Sequence, residues 1–241
     1  MVAINSTSLT KDYGSKRALD SLNLTVYDGE LFALLGVNGA GKTTAIKVLS
    51  CLMKPTAGSA AIYGHDIITE SHEARSVLAT SPQETAVAPN LTARENLELM
   101  AGIYGATGKE AKDKATEMIE RFNLASIEKT KAKKLSGGWQ RRLSIAMALI
   151  SEPKLLFLDE PTLGLDILAR RELWTIIRQL KGKATVILTT HYLEEAEALS
   201  DRIGILSCGK LTALGTAAEL MTQSGAKNFE DAFITLAGGA I

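Results

Sequence analysis

The apolar run Leu31–Leu35 leads directly into Gly36-Val37-Asn38-Gly39-Ala40-Gly41-Lys42-Thr43, with Thr44 next. This satisfies G-x-x-x-x-G-K-S/T, the spacing of a loop that cradles phosphate groups. Its glycines let the backbone wrap closely, so that N–H groups point inward at phosphate oxygens. A helix beginning near Gly41 adds its positive end. Lys42 is placed to reach β- and γ-phosphates as a point charge. The Thr43 hydroxyl is suited to Mg²⁺, and the Thr44 hydroxyl to a further phosphate oxygen. Far downstream, Leu155–Leu158 is an apolar run ending in Asp159-Glu160, just before Pro161. A buried strand there brings Asp159 beside the phosphate loop, where it can hold Mg²⁺ through water. Glu160, one residue further, is the candidate to orient or deprotonate an attacking water.

A second anion-binding arrangement lies between these motifs. Ser136, Gly137 and Gly138 stand at a predicted helix start, where backbone donors and the helix dipole favour negative charge. The chain thus carries two phosphate-binding surfaces. If they cannot meet within one monomer, two chains must share each nucleotide.

The elements that must position these groups alternate. Strands are expected at Val2–Leu9, Leu22–Val26, Leu31–Leu35 and Ser59–Tyr63, with a helix from near Gly41 to about Leu52. From Glu84 to Ile150 helical spacing dominates, as in Leu97, Met100, Ala101 and Tyr104. Strands at Lys154–Leu158, Ala184–Thr189 and Arg202–Leu206 then alternate with helices at Asp166–Leu180 and Leu193–Leu199. The order reads as α/β, with a helical insertion between two halves of one core. Leu173, Ile176, Ile177 and Leu180 share a core-facing stripe. Lys129, Lys131, Lys133 and Lys134 read as a solvated loop, and His65 and His72 as surface residues.

Leu135-Ser136-Gly137-Gly138-Trp139-Gln140-Arg141-Arg142 resembles the signature of ATP-binding cassette (ABC) ATPases. The resemblance spans nearly the whole chain, in the family's order. Tyr13 stands where these proteins stack an aromatic on adenine, and Gly36–Thr44 is the phosphate loop. Gln83, in Ser81-Pro82-Gln83, matches the glutamine that contacts Mg²⁺ and the membrane partner. Asp159 and Glu160 end the second nucleotide motif. Asp166, in Leu163-Gly164-Leu165-Asp166, matches the loop that crosses the dimer interface. His191, in Thr189-Thr190-His191, matches the switch histidine.

The resemblance implies a P-loop NTPase cassette: a mixed, largely parallel sheet core, an N-terminal β subdomain and an inserted helical subdomain. It assigns a core at 1–83 and 151–220, an insertion at 84–150 and a tail at 221–241, with no room for an appended domain. It also implies ATP and Mg²⁺ as cofactors, and two cassettes packed head to tail as a homodimer or heterodimer. A separate transmembrane permease subunit would be the partner, at the cytoplasmic face of the cell membrane. Glu160, His191, Gln83 and Lys42 would carry hydrolysis. Runs around Arg170–Trp174 and Thr189–Glu197 are similar to cassettes of bacterial type-2 exporters of drugs, antibiotics, glycolipids or polysaccharides. Trp139 departs from the usual signature glutamine. It can pack at the dimer interface or be an ordinary half-buried tryptophan.

Composition narrows the alternatives. Lys+Arg and Asp+Glu are 27 each, giving a formal net charge of zero, and aromatics are 5%. Neither a charge-driven polyanion binder nor a base-stacking platform is expected, hence no nucleic acid partner. No apolar run is long enough to span a bilayer, so a membrane role requires a partner. Cys51 and Cys208 read as buried thiols in a reducing cytosol. A soluble cassette that remodels a protein or nucleic acid assembly is the alternative; against it stand the lack of long coiled coils, a second cassette or a basic excess. A P-loop GTPase or kinase would need an Asn-Lys-x-Asp or a lid, and would leave the signature and His191 without a role.

Overall fold

A computed structural model describes residues 1–238, so the end of the expected tail, 239–241, lies outside the described residues. The chain opens with a long hairpin, β1 (Val2–Tyr13) and β2 (Lys16–Tyr27). Then come β3 (Leu31–Leu35), α1 (Lys42–Leu49), β4 (Ala57–Ile62), β5 (His65–Asp66), α2 (Ser71–Ser76) and β6 (Leu78–Ser81). Three helices follow: α3 (Ala93–Ile103), α4 (Gly108–Arg121) and α5 (Gly137–Leu149). The remainder is β7 (Leu155–Asp159), α6 (Ile167–Arg178), β8 (Thr185–Thr190), α7 (Leu193–Leu199), β9 (Arg202–Ser207), β10 (Lys210–Gly215), α8 (Ala217–Ser224) and α9 (Phe229–Leu236).

Two sheets form. One is four-stranded and antiparallel, in the order β2-β1-β4-β5. The other is six-stranded, in the order β10-β9-β3-β8-β7-β6, parallel except for the β9–β10 hairpin. The central strands read as unbroken apolar runs because both their faces are covered. Side-chain alternation divides them between two cores. Leu31, Ala33, Leu35, Leu156, Leu158, Val186 and Leu188 face a core shared with the helices. Phe32, Leu34, Leu155, Phe157 and Ile187 face a second core, closed by α1 and the inner side of the antiparallel sheet.

Several expectations need correction. Helix α1 stops at Leu49 rather than about Leu52, because Ser50 ends it and Cys51 turns with φ +59°. Helical structure after Glu84 starts only at Ala93, where Thr92 accepts from Glu95 N and Glu95 reaches back to Thr92 N in a capping box. Tyr104 follows the end of α3 and leaves its buried stripe, standing exposed. Cys51 is half-buried and Cys208 exposed, the latter at the tight β9–β10 turn. The tail is structured as α8 and α9, which pack on the helix-side core through Leu220, Phe229, Ala232 and Phe233. The four lysines 129, 131, 133 and 134 are exposed, and Leu173, Ile176, Ile177 and Leu180 are buried.

Candidate nucleotide site

Four adjacent strands, β3, β8, β7 and β6, run parallel, so their C-terminal ends lie side by side. Each delivers a candidate residue there: the phosphate loop after β3, His191 after β8, Asp159 and Glu160 at the end of β7, and Gln83 after β6. Ligands of open α/β sheets bind at this edge.

The loop's tightness is built in by glycine. Gly41 has φ +110°, and a Cβ there would run into the Ala18 carbonyl oxygen on β2. Asn38, Gly39, Ala40, Gly41, Lys42, Thr43 and Thr44 line a cleft of about 650 Å³ together with Tyr13, Gln83, Glu160 and His191. Gly36 lies beneath it, its carbonyl accepting from Lys42 Nζ at 2.6 Å. Tyr13 is 45% exposed on the cleft rim, its hydroxyl against Met53 Sδ at 3.0 Å. Lys16, Ala18 and Leu163 also line the cleft. Sequence reasoning missed Lys16 and Ala18, because a hairpin end carries no chemical pattern, and took Leu163 only as the start of the Asp166 motif.

The paired carboxylates diverge because the backbone turns between them. Asp159 is the last strand residue; Glu160 sits at φ +48°, a conformation costing a non-glycine residue about 1–3 kcal/mol. Its N–H holds the turn by donating to Thr189 Oγ1 at 3.0 Å and the Thr189 carbonyl at 3.2 Å. Asp159 Oδ1 therefore accepts from the hydroxyls of Thr189 at 2.5 Å and Thr43 at 3.3 Å. The Glu160 carboxylate points into the cleft. Its Oε1 is 3.0 Å from Lys42 Nζ, and its Oε2 is 2.8 Å from His191 Nδ1. Lys42 and Glu160 are each only 6% exposed, so their charges compensate each other in a poorly solvated place. In the tautomer with hydrogen on Nδ1, His191 donates to Glu160 Oε2.

Ser136, Gly137 and Gly138 are not brought to this cleft. They line another, with Trp139, Arg142, Gly164, Leu165 and Asp166, and the two clefts share no lining residue. Ser136 is the N-cap residue of α5, yet its side chain caps no helix N–H. Asp166 caps α6 by accepting from Ala169 N at 2.9 Å. Trp139 is half-buried against the helix-side core, with the Arg142 guanidinium 4.7 Å from its ring centre, and Arg142 is paired with Glu172.

Arg141 and Glu195 are among the buried ionisable groups that went unassigned in the sequence reading. Burial holds the Arg141 guanidinium down at about 10, still cationic at neutral pH. Glu195 on α7 is fully buried, and burial pushes its carboxyl up. Trp174 Nε1 donates to its Oε1 at 3.0 Å.

Comparison with known proteins agrees with this geometry. Residues 19–163 match the family described as ABC transporter. The daunorubicin resistance ATP-binding protein DrrA3 of Streptomyces coeruleorubidus is 44% identical over 224 residues, covering 92% of this chain and 71% of that protein. A solved ATP-binding subunit of an ABC transporter superposes with TM-score 0.86 at 31% identity, covering 97% of this chain and 99% of that one. The cassette MJ0796, solved as a dimer in a post-hydrolysis state with ADP and phosphate, gives TM-score 0.80 at 28% identity, over 88% of this chain and 98% of that one. A strand-end cleft with a phosphate loop, adjoining carboxylates and a histidine, a separate Ser-Gly-Gly helix start, and these likenesses lead to one conclusion: the chain belongs to the ABC transporter family, as an ATP-binding, ATP-hydrolysing cassette.

Proposed function

We propose that this cassette powers a drug or antibiotic exporter, paired with a second cassette beneath a separate transmembrane permease at the cytoplasmic face of the cell membrane. The 44% identity to a daunorubicin resistance protein over most of both chains carries the exporter reading. No helix among the described residues is long and apolar enough to cross a membrane, so a translocation path would come from a partner. Residues 1–83 and 151–220 would form the nucleotide core. The insertion at 84–150 and the Gln83 loop would pass motion to the permease.

At the nucleotide, Tyr13 stacks on adenine. Gly36, Asn38, Gly39, Ala40, Gly41, Lys42, Thr43 and Thr44 enclose the phosphates. The Thr43 hydroxyl, the Asp159 carboxylate and the Gln83 amide are the candidate Mg²⁺ donors. Oxygen donors suit this ion, and Thr43 Oγ1 and Asp159 Oδ1 already lie 3.3 Å apart. Bound Mg²⁺ would supply neutralisation of phosphate charge. A γ-phosphate competes with Glu160 for Lys42 and so frees Glu160 Oε1 to take a proton from water. His191 keeps the other oxygen in place. Ser136, Gly137, Gly138 and the Asp166 loop of a second copy complete the site from the far side.

Purifying a tagged chain from membranes in mild detergent tests the transport reading. A co-purifying polytopic subunit is expected, and cells lacking the cassette should retain more fluorescent daunorubicin. A soluble protein or nucleic acid assembly in place of that subunit would favour the remodelling alternative.

A further inference from the structure

Arg141 lies on α5, outside the lining of both clefts, and is 4% exposed. Among the described residues its hydrogen-bond acceptors are all main-chain carbonyls. Nε donates to Pro161 O at 3.0 Å, Nη1 to Pro82 O and to Gln83 O at 3.3 Å, and Nη2 to Asp159 O. These carbonyls belong to two segments: the loop after β6 that carries Gln83, and the end of β7 with the turn after it, Asp159 to Pro161. The strands are neighbours, with Ser81 opposite Leu158, so the segments emerge together and one planar fork spans both. The helix holding the fork begins at the Ser136 signature.

We propose that Arg141 is a positioning residue: it fixes the Gln83 loop against the Asp159–Pro161 turn and ties both to the signature helix. Any displacement of α5 or of the Gln83 loop is then felt at the carboxylates. The inference rests on the reading of Gln83 and Glu160 as nucleotide-side residues. A lysine retains the charge but cannot reproduce the fork, and a methionine loses both.

The test uses the full chain as Arg141→Lys and Arg141→Met, with Glu160→Gln in parallel. In nucleotide-free protein, amide exchange across residues 80–86 should quicken at least about fivefold in Arg141→Lys while β3 and β8 stay protected. The kcat for ATP should fall at least about tenfold, since small misplacement of reacting groups is costly. ATP affinity measured without divalent cation should stay within about twofold of the parent, because none of Arg141's hydrogen-bond acceptors among the described residues lies in the phosphate loop. A folded Arg141→Lys with parental kcat and exchange overturns the proposal. So does a kcat loss matched by equal loss of affinity and by faster exchange throughout, which is what a merely structural arginine would give. If Arg141→Met does not fold, Arg141→Lys decides. Hydrolysis persisting in Glu160→Gln would instead refute the site assignment, whereas an inactive Glu160→Gln beside a normal Arg141→Lys removes only the role given to Arg141.

Discussion

Lys42 and Glu160 are held together before any phosphate is considered, and this pairing sets what each substitution will do. Lys42→Ala removes the phosphate contact and also leaves Glu160 buried with its Oε1 bare. Losing a charge-assisted contact costs about 1.5–3 kcal/mol, so ATP affinity should fall roughly ten- to a hundredfold by calorimetric titration. Unchanged affinity in a folded mutant would remove Lys42 from the site. Glu160→Gln should bind ATP normally but hydrolyse it at least about a hundredfold more slowly, the low end for loss of a general base. The amide keeps the acceptor facing His191 but cannot take a proton. Asp159→Asn should differ: Asp159 serves the Thr43 hydroxyl rather than the water, so Mg²⁺-dependent binding should weaken along with turnover. Single-turnover rates with matched binding curves separate the cases, and near-parental turnover by Glu160→Gln would exclude it as the base.

At the scale of elements, Glu195 fastens α7, the helix just after His191, to Trp174 on α6. Burial raises its carboxyl, so the folded chain binds that proton more tightly than the unfolded chain does. The resulting stabilisation is complete below the unfolded value and is lost as pH rises through the folded one. Glu195→Gln keeps an acceptor for Trp174 and never ionises. Its melting midpoint should match the parent at about pH 4 and exceed it increasingly toward about pH 8, by roughly 2–4 °C for each kcal/mol. A gap that does not change with pH would contradict this. Glu195 also marks where legibility stops. The phosphate loop and the strand ending in Asp159-Glu160 were readable because local spacing encodes them, whereas His191 was readable only through the family resemblance. The elements around them were readable because two-sided burial leaves unbroken apolar runs. Arg141 and Glu195 were not, since their work depends on elements that meet only in the fold: the Arg141 carbonyl partners lie on two segments well removed in the chain, and Glu195 meets Trp174 on another helix. Strands β6 and β10 also escaped, since Leu78–Ser81 is short and Lys210–Gly215 is a half-exposed edge. The pairing of Lys42 with Glu160 had no local signature either.

For the whole molecule, what decides is that the two proposed phosphate-binding surfaces line separate clefts. The loop between them has Leu163 in the nucleotide cleft and Gly164–Asp166 in the signature cleft, so one short segment borders both. Leu163, Ile167 and Leu168 are 41, 69 and 75% exposed along this stretch, an apolar edge that a partner could cover. In the proposed dimer, a two-fold arrangement would present each signature to the other copy's phosphates and close on itself. On this reading ATP would supply a γ-phosphate that both copies bind, whereas ADP would leave the signature without its anion. Glu160→Gln with saturating ATP should therefore sediment as a dimer, and with ADP as a monomer. Ser136→Arg added to Glu160→Gln should weaken that association at least about tenfold, since loss of one hydrogen bond to a charged group is worth about 1.5–3 kcal/mol and the longer side chain obstructs docking. ATP affinity of the monomer should be untouched, because Ser136 is absent from the nucleotide cleft. A Glu160→Gln chain that stays monomeric under saturating ATP would rule out a self-sufficient homodimer and direct the search to a second, different cassette, whose signature would have to meet the phosphates held by Lys42.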